Sequence, residues 1–525
     1  MIKTRLMLVA LLVYISGSVV AQKEALESIC ENDLRAHLEF IASDLMQGRD
    51  FYTETPGLEM TAEYLKGQCR RIGLEPGFED YFQEVELTSS EPDWDQTWFQ
   101  LRSRDGEVVY QTKDIFSLGG ATENDTITGD ILFAGYGWYN NDTKYNDTEG
   151  LSLKDKIVVV MTRTPEMVKD GKELAMNVES LKMQKAVLGG AKALLFVPDP
   201  LNPDTGFLDD IKKYATGGML QLKGTKERRR MPLKILFGTT ELGDQIVKES
   251  GKTLTVIQQE IGESGSPKSF DVENTKANVQ LIRNVSTVEG KNVVAVIKGS
   301  DPVLKNECIV YTAHYDHLGT AGEGEVYNGA DDNGTGTVAL LEIAEAFQQM
   351  KKKPKRSIVF AWVTGEEKGL LGSNYYSQYP VFSMENTLAD INLDMVGRSA
   401  EVEPAPEAAV EKSLAGPNGL YIVSGKQSSE LMEISNDICR ELDLIPSDKL
   451  SEAFLTRSDY YHFYKNGVPV LGLSTGLHDD YHKVSDEVEK IDYTKMKRVA
   501  QYSFLVGEKV ANQKKRIVVD KPAVE

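Results

Sequence analysis

The chain reads as an α/β protein: a mixed, mostly parallel sheet flanked by helices on both faces, with an inserted β-rich domain. Three observations predict this. From Asn292 onward, fully apolar runs alternate with stretches of helical periodicity, as strands buried on both faces by helices require. Between about 118 and 265 the texture changes to short, separated elements, and 525 residues exceed one ordinary domain. Histidines and paired acids recur just past the apolar runs, where open parallel sheets bind their ligands.

Taken in order, the elements begin with Lys3 and Arg5 ahead of the apolar run Leu6 to Ile15, followed by small residues and Val19-Val20-Ala21. Basic, apolar, small is the order of a secretory signal peptide cleaved near Ala21, which places the mature protein in the periplasm or outside the cell. The run is too short to cross a bilayer as a helix, and no later segment is apolar enough, so no transmembrane anchor is expected. Two amphipathic helices follow. Leu26 to Leu45 carries Leu26, Cys30, Leu34, Leu38 and Ile41 on one stripe, and Leu58 to Ile72 carries Ala62, Leu65 and Cys69 on another. Gly73 and Pro76-Gly77 stop the second.

Strands are expected at Tyr81 to Leu87, Trp98 to Leu101 and Val108 to Tyr110. Within the insertion, strands are expected at Asp130 to Ala134, Lys156 to Met161, Ala193 to Val197 and Leu233 to Phe237, with helices at Val178 to Leu188 and Glu241 to Ser250. None of these gathers histidine with carboxylates. The second half reads as strands Asn292 to Ile297, Cys308 to Ala313, Ser357 to Thr364, Ile391 to Leu393 and Val468 to Leu473, with helices Thr335 to Gln349 and Leu431 to Leu442. Lys351 to Arg356 is the charged end of a helix, a Pro break and a new strand. Glu401 to Pro417, rich in Glu, Ala and Pro, is a loop.

Composition excludes some partners. With 41% apolar and 26% charged residues the chain is globular and soluble in character. Its net charge of −21 repels phosphate backbones, so no nucleic-acid partner is expected. The four cysteines form no CxxC pair, and buried free thiols are the default.

Five of the six histidines lie in the second half, and there the acids cluster with them. His314-Tyr315-Asp316 follows an apolar strand; residues two apart on an extended segment share a face, so Asp316 can orient the His314 ring. Asp331-Asp332 opens a helix, where a cap would need one acid and a bound cation explains two. Glu366-Glu367 follows the strand Ser357 to Thr364; adjacent like charges at a buried strand end call for a cation or a proton, and neighbouring side chains point apart, so one Glu can bind metal while the other handles a proton. Asp394 ends Ile391-Asn392-Leu393, and Tyr481-His482 has Asp486 nearby. Four of these five clusters select one edge of the sheet, and their oxygen and imidazole donors, without thiolates, suit paired zinc ions sharing a carboxylate.

The strings "AHYDHLG", "NGADDNGTG", "TGEEKGLLGS", "INLDMVGR", "RSDYYHF" and "DYHKVSDEVEKID", in this order, resemble the exported bacterial zinc aminopeptidases, relatives of glutamate carboxypeptidase and the transferrin receptor. "ILFAGYGW", "LKDKIVVV" and "GAKALLFV" look like the protease-associated domain inserted in many members. The resemblance implies a zinc exopeptidase fold partitioned as 1–21 signal peptide, 22–117 first part of the peptidase domain, 118–265 protease-associated insertion and 266–525 catalytic domain. It implies two Zn²⁺ per chain: His314 and Asp394 on one, Glu367 and His482 on the other, Asp332 bridging. Glu366 would be general base and acid, Asp316 would orient His314, Tyr481 would support the oxyanion and Arg457 would contact substrate. Peptides are the expected substrates, attacked by metal-activated water, and an aminopeptidase is expected. A carboxypeptidase or dipeptidase on the same site, a one-zinc glutaminyl cyclase and an inactive receptor-like protein are the competing readings; the full ligand set argues against the last two. The family's S-D-H reads here Ser458-Asp459-Tyr460, with His462 two residues on, so the pocket wall differs.

Overall fold

The computed structural model describes residues 23–93, 95–103, 106–111, 116–118, 124–172, 175–201, 219–224, 233–321, 324–403 and 413–521. The expected signal peptide and part of the Glu401 to Pro417 loop lie outside the described residues. The chain forms two compact units, one of residues 1–87 with 288–525, the other of residues 88–287.

The first unit is built on a mixed sheet. Six of the ten strands described in it, in chain order, are β1 (Arg283–Ile297), β2 (Cys308–His314), β3 (Ser357–Val363), β4 (Thr387–Leu393), β5 (Gly419–Val423) and β6 (Val470–Ser474). They lie side by side as β1-β3-β2-β4-β6-β5. β3, β2, β4 and β6 run parallel, while β1 is antiparallel to β3 and β5 is antiparallel to β6. Every residue of β2, β3 and β4 is buried, which is why these segments read as unbroken apolar runs. Successive residues face opposite layers. Ile309, Tyr311 and Ala313 join a core with Leu38, Leu65, Leu340 and Phe504, while Cys308 and Val310 join another with Tyr376, Phe463 and Tyr464.

The helices of the first layer are α1 (Glu31–Ile41), α2 (Gly57–Ile72), α3 (Gly336–Gln349) and α4 (Tyr493–Asn512). The last was not expected from the sequence. α3 ends at Gln349, before the lysines expected to form its charged end; Lys353 lies past it and donates back to the Phe347 carbonyl at 3.3 Å. The helix expected over Leu26 to Leu45 is interrupted: Cys30 is extended (φ −129, ψ 152), and its N–H turns to Glu342 of α3 at 3.4 Å. Both sides of the break still face one core, so the apolar stripe runs through it.

From β2 the chain crosses by α3 to β3 on one side, and β4 then pairs with β2 on the other. That reversal opens a crevice at the carboxyl ends of β2 and β4. α3 begins there at Gly336, where a Cβ would lie 2.3 Å from the Leu393 carbonyl, so only glycine lets the helix start this close to β4.

The second unit carries an eight-stranded sheet in the order Gly106–Gln111, Trp98–Ser103, Phe270–Leu281, Asp125–Phe133, Ile157–Met161, Ala193–Val197, Lys234–Phe237 and Phe116–Leu118. The strands from Asp125–Phe133 to Lys234–Phe237 are parallel, with helices Met176–Leu188, Thr240–Val247 and Leu254–Ser264 beside them in sequence. The unit contains no histidine.

Glu342 makes the fold of the first unit sensitive to pH. Burial pushes its carboxyl up to about 8. The folded state therefore holds a proton that the unfolded chain releases near pH 4.5, and this contribution is present at low pH and lost as pH rises towards 8. Unfolding free energies from denaturant titration at pH 5 to 8 will fall more steeply for the parent than for Glu342→Gln, by up to about 1.4 kcal/mol per pH unit.

Candidate metal centre

The carboxyl end of β2 places His314 fully buried, with one contact on its ring and one on its backbone. Nδ1 lies 3.2 Å from the backbone carbonyl of Asp316, and the His314 carbonyl accepts from Thr337 at 2.7 Å. This turns Nε2 towards Asp332 Oδ1 and Asp394 Oδ1, each 3.5 Å away. His482 points its Nε2 at Asp332 Oδ2, 3.1 Å, and Glu367 Oε2, 3.4 Å. Asp332 thus offers one oxygen to each imidazole. The five side chains expected to hold metal converge from five separate segments, and Glu366, Arg457 and Tyr481 line the same cleft.

Asp316 lies behind this cluster. Its carboxylate accepts from the backbone N–H groups of Glu366 at 3.1 Å and Glu367 at 3.2 Å, and is 3.8 Å from His314 Nδ1. It reaches His314 through its carbonyl and fixes the Glu366-Glu367 turn through its side chain. Asp331 also turns away. It accepts from Thr335 Oγ1 at 2.9 Å and Gly397 N–H at 2.8 Å, and faces His478 Nε2 at 3.2 Å. Of the adjacent acids only Asp332 enters the cluster. Its N–H and that of Asp331 are held by Asp486 Oδ2 at 3.1 and 2.9 Å. Asp394 is set by a polar ladder up one face of the sheet: Asp390 accepts from Thr312, Thr312 from Asn392, and Ser458 donates to Asp394 Oδ2 at 2.7 Å.

Tyr481 stacks on His482 with ring centroids 3.8 Å apart, and Arg457 is exposed, its guanidinium 4.7 Å over Phe454. Tyr460 is buried in the cleft wall and donates to the Phe454 carbonyl. A Cβ on Gly472 would lie 2.5 Å from its ring.

Two functional neighbours were not singled out from the sequence. His317, three residues past His314, is fully buried with Nδ1 2.8 Å from Glu367 Oε1; H-x-x-H after an apolar strand was its signal. Arg49, fully buried, donates to the carbonyls of Tyr315 (2.9 Å), Ile41 (2.7 Å), Asn328 (2.6 Å) and Gly329 (2.9 Å). Burial pulls its pKa down to about 10, opposed by Asp316, Asp332, Asp486 and Glu367, so it stays charged beneath the acids. No periodicity or motif marks it.

The electrostatics call for cations. Burial disfavours charge on His314 and His482, yet the carboxylates around them win, holding His314 well above its ordinary value and pushing His482 up to about 10. Burial alone would raise Glu367, but His317 and His482 hold it well below the usual range. Glu366 is driven the other way, first by burial and then by Glu367, Asp459 and Asp394 against the pull of His314. Burial also pushes Asp459 up to about 7. Protonated imidazoles here supply positive charge that buried carboxylates demand, and divalent ions supply it better. Two imidazoles, three carboxylates and no thiolate form a donor set that fits zinc. His314, Asp332 and Asp394 bring ligand atoms within 4.8 Å of one another, and so do His317, Asp332 and Glu367.

Residues 292–506 match the model of peptidase family M28. Over 231 residues the chain is 28% identical to aminopeptidase Y of Saccharomyces cerevisiae, covering 40% of this chain and 36% of that protein. It is 32% identical over 230 residues to leucine aminopeptidase 2 of Trichophyton rubrum, covering 44% and 40%. The chain thus spans about two fifths of the length of these curated relatives. The solved aminopeptidase from Aneurinibacillus sp. strain AM-1 superposes with a TM-score of 0.54 at 17% identity, over 95% of this chain and 98% of that one, which shows a shared fold.

Replacing Arg49 by Met will take a donor from four carbonyls, of which Gly329 keeps the Gly334 N–H at 3.1 Å, and will remove a buried cation from beneath the acids. The first unit will lose about 3–5 kcal/mol in denaturant titration, and Arg49→Lys will recover only part of it, since one ammonium cannot reach carbonyls on three segments.

Proposed function

We propose, on the premise that residues 292–506 are a domain of peptidase family M28, that this chain is a metallo-exopeptidase using two zinc ions, and specifically an aminopeptidase. The observation that carries the reading is the split of Asp332: one carboxylate oxygen faces His314 and the other faces His482. In this reading His314 and Asp394 hold one ion, Glu367 and His482 the other, and Asp332 both. Bound there, the ions would supply Lewis-acid chemistry, lowering the pKa of the attacking water and polarising the scissile carbonyl.

The chain's own residues do the rest. Glu366, beside His314 and Asp394 in the cleft, takes the proton of the attacking water and returns it to the leaving amine. Its turn is held by Asp316 through two backbone N–H groups, which keeps Glu366 and Glu367 pointing apart. Tyr481 is 38% exposed, but desolvation at the cleft and the nearby carboxylates of Asp332, Glu367, Glu366 and Asp394 hold its phenol above its ordinary value, so it keeps its proton and donates to the developing oxyanion. Asp332, Glu366, Glu367 and Asp394 line the cleft and suit a substrate's free ammonium. One observation favours a carboxypeptidase or dipeptidase instead: Arg457, also lining the cleft, suits a terminal carboxylate.

The insertion about 118–265, inside the second unit, is read as a protease-associated domain without catalytic residues, in keeping with its lack of histidine. Export through a cleaved signal peptide belongs to the same reading. No helix among the described residues is long and apolar enough to cross a membrane.

The direct test assays aminoacyl, N-blocked and C-terminal test peptides alongside metal analysis. The expected result is two zinc ions per chain, hydrolysis of substrates with a free N-terminus, loss of activity with chelator and recovery with zinc; activity that survives metal removal rejects the mechanism. Glu366→Gln will keep both ions and lose at least about 100-fold in kcat, the least expected of a general base, with little change in KM. Loss of an ion in that variant will mean that Glu366 and Glu367 have exchanged roles.

A further inference from the structure

His317 is not among the residues that the proposed chemistry uses, yet the structure builds a compartment for it. Its side chain is fully buried past the end of β2, and its backbone N–H is fixed to the Arg49 carbonyl at 3.1 Å. Gly329, with φ +53, leaves the space the ring fills: a Cβ there would lie 2.4 Å from His317 Cδ2. Nδ1 is 2.8 Å from Glu367 Oε1, while Nε2 is buried without a hydrogen-bond partner among the described residues. The other oxygen of Glu367, Oε2, faces His482 Nε2 at 3.4 Å, and the two imidazoles meet edge to face with centroids 6.0 Å apart.

From this we infer that His317 is a positioning residue for the second ion: its Nδ1–H engages Glu367 Oε1, so that Oε2 alone is presented, beside His482 and Asp332. A carboxylate free at both oxygens can rotate, chelate through both or take a proton, and each alternative weakens the site. A buried N–H donor aimed at one oxygen removes those alternatives before the ion arrives. Because the ring lies between Gly329 and Glu367, it also ties the carboxyl end of β3 to the loop that carries Asp332. The inference rests on the paired-metal reading.

The test uses the full chain, stripped of metal and titrated with zinc by calorimetry, with cobalt absorption reporting coordination at each site. The parent must first bind two ions. If it binds one or none, the paired-metal reading fails, and the role of His317 falls with it. Given two ions, His317→Ala is expected to keep the first affinity and weaken the second about 10–100-fold. His317→Asn, whose amide nitrogen stands near the position of Nδ1, is expected to restore the second affinity to within a few-fold. His317→Gln, whose amide stands near Nε2, is not. Two ions bound by the Ala variant with parental affinity would overturn the inference. So would rescue by Gln and not by Asn, which would place the function at Nε2, as a direct ligand. Should the Ala variant fail to fold, the Asn and Gln variants decide alone.

Discussion

The dominant constraint on this molecule is the burial of acid at one edge of a sheet. Asp316, Asp331, Asp332, Asp390, Asp459 and Asp486 are each at most 3% exposed, and Glu366, Glu367 and Asp394 sit among them. Carboxylates taken out of water at this density repel one another and lose hydration, so the surrounding structure must neutralise or hydrogen-bond each of them. Backbone N–H groups serve Asp316 and Asp486, Thr312 serves Asp390, and Thr335 serves Asp331. Arg49 and the imidazoles bring positive charge. What remains is a set of oxygens that only small multivalent cations satisfy well.

This division of labour explains why acidic neighbours in the sequence take different roles. Asp331 and Asp332 are adjacent, but one braces the helix start and the other faces the two imidazoles. Glu366 and Glu367 are adjacent, but one is held well above and the other well below the usual carboxylate range.

Much of this was legible beforehand because the informative residue types are scarce. Six histidines in 525 residues, five of them in the second half, left few ways to assemble a site, and the unbroken apolar strands located its edge. The parallel direction of β3, β2, β4 and β6 followed from the same runs, while their spatial order did not. What escaped reading lacked a local signature. Arg49 acts by reaching carbonyls hundreds of residues away, and a lone arginine after a helix looks like surface charge. The twenty residues of α4 carry an ordinary amphipathic pattern that no motif pointed to. Phe270–Leu281, a central strand of the second unit, mixes charged and apolar residues because only one face of it is covered. The break at Cys30 was masked because its stripe keeps facing one core. The carbonyl contact from Asp316 to His314, in place of the expected carboxylate contact, is a choice between two acceptors of one residue that spacing cannot make.

The Arg49 guanidinium has a practical consequence for dissection of the protein. A fragment cut to residues 292–506 would retain every proposed ligand and Glu366, yet omit the arginine on which four carbonyls close, the Asp50 carboxylate that pairs with Lys368 at 2.9 Å, and the last turn of α4. Such a minimal piece would keep the alphabet of the site and lose its grammar. The shortest autonomous version of this unit has to begin upstream of α1.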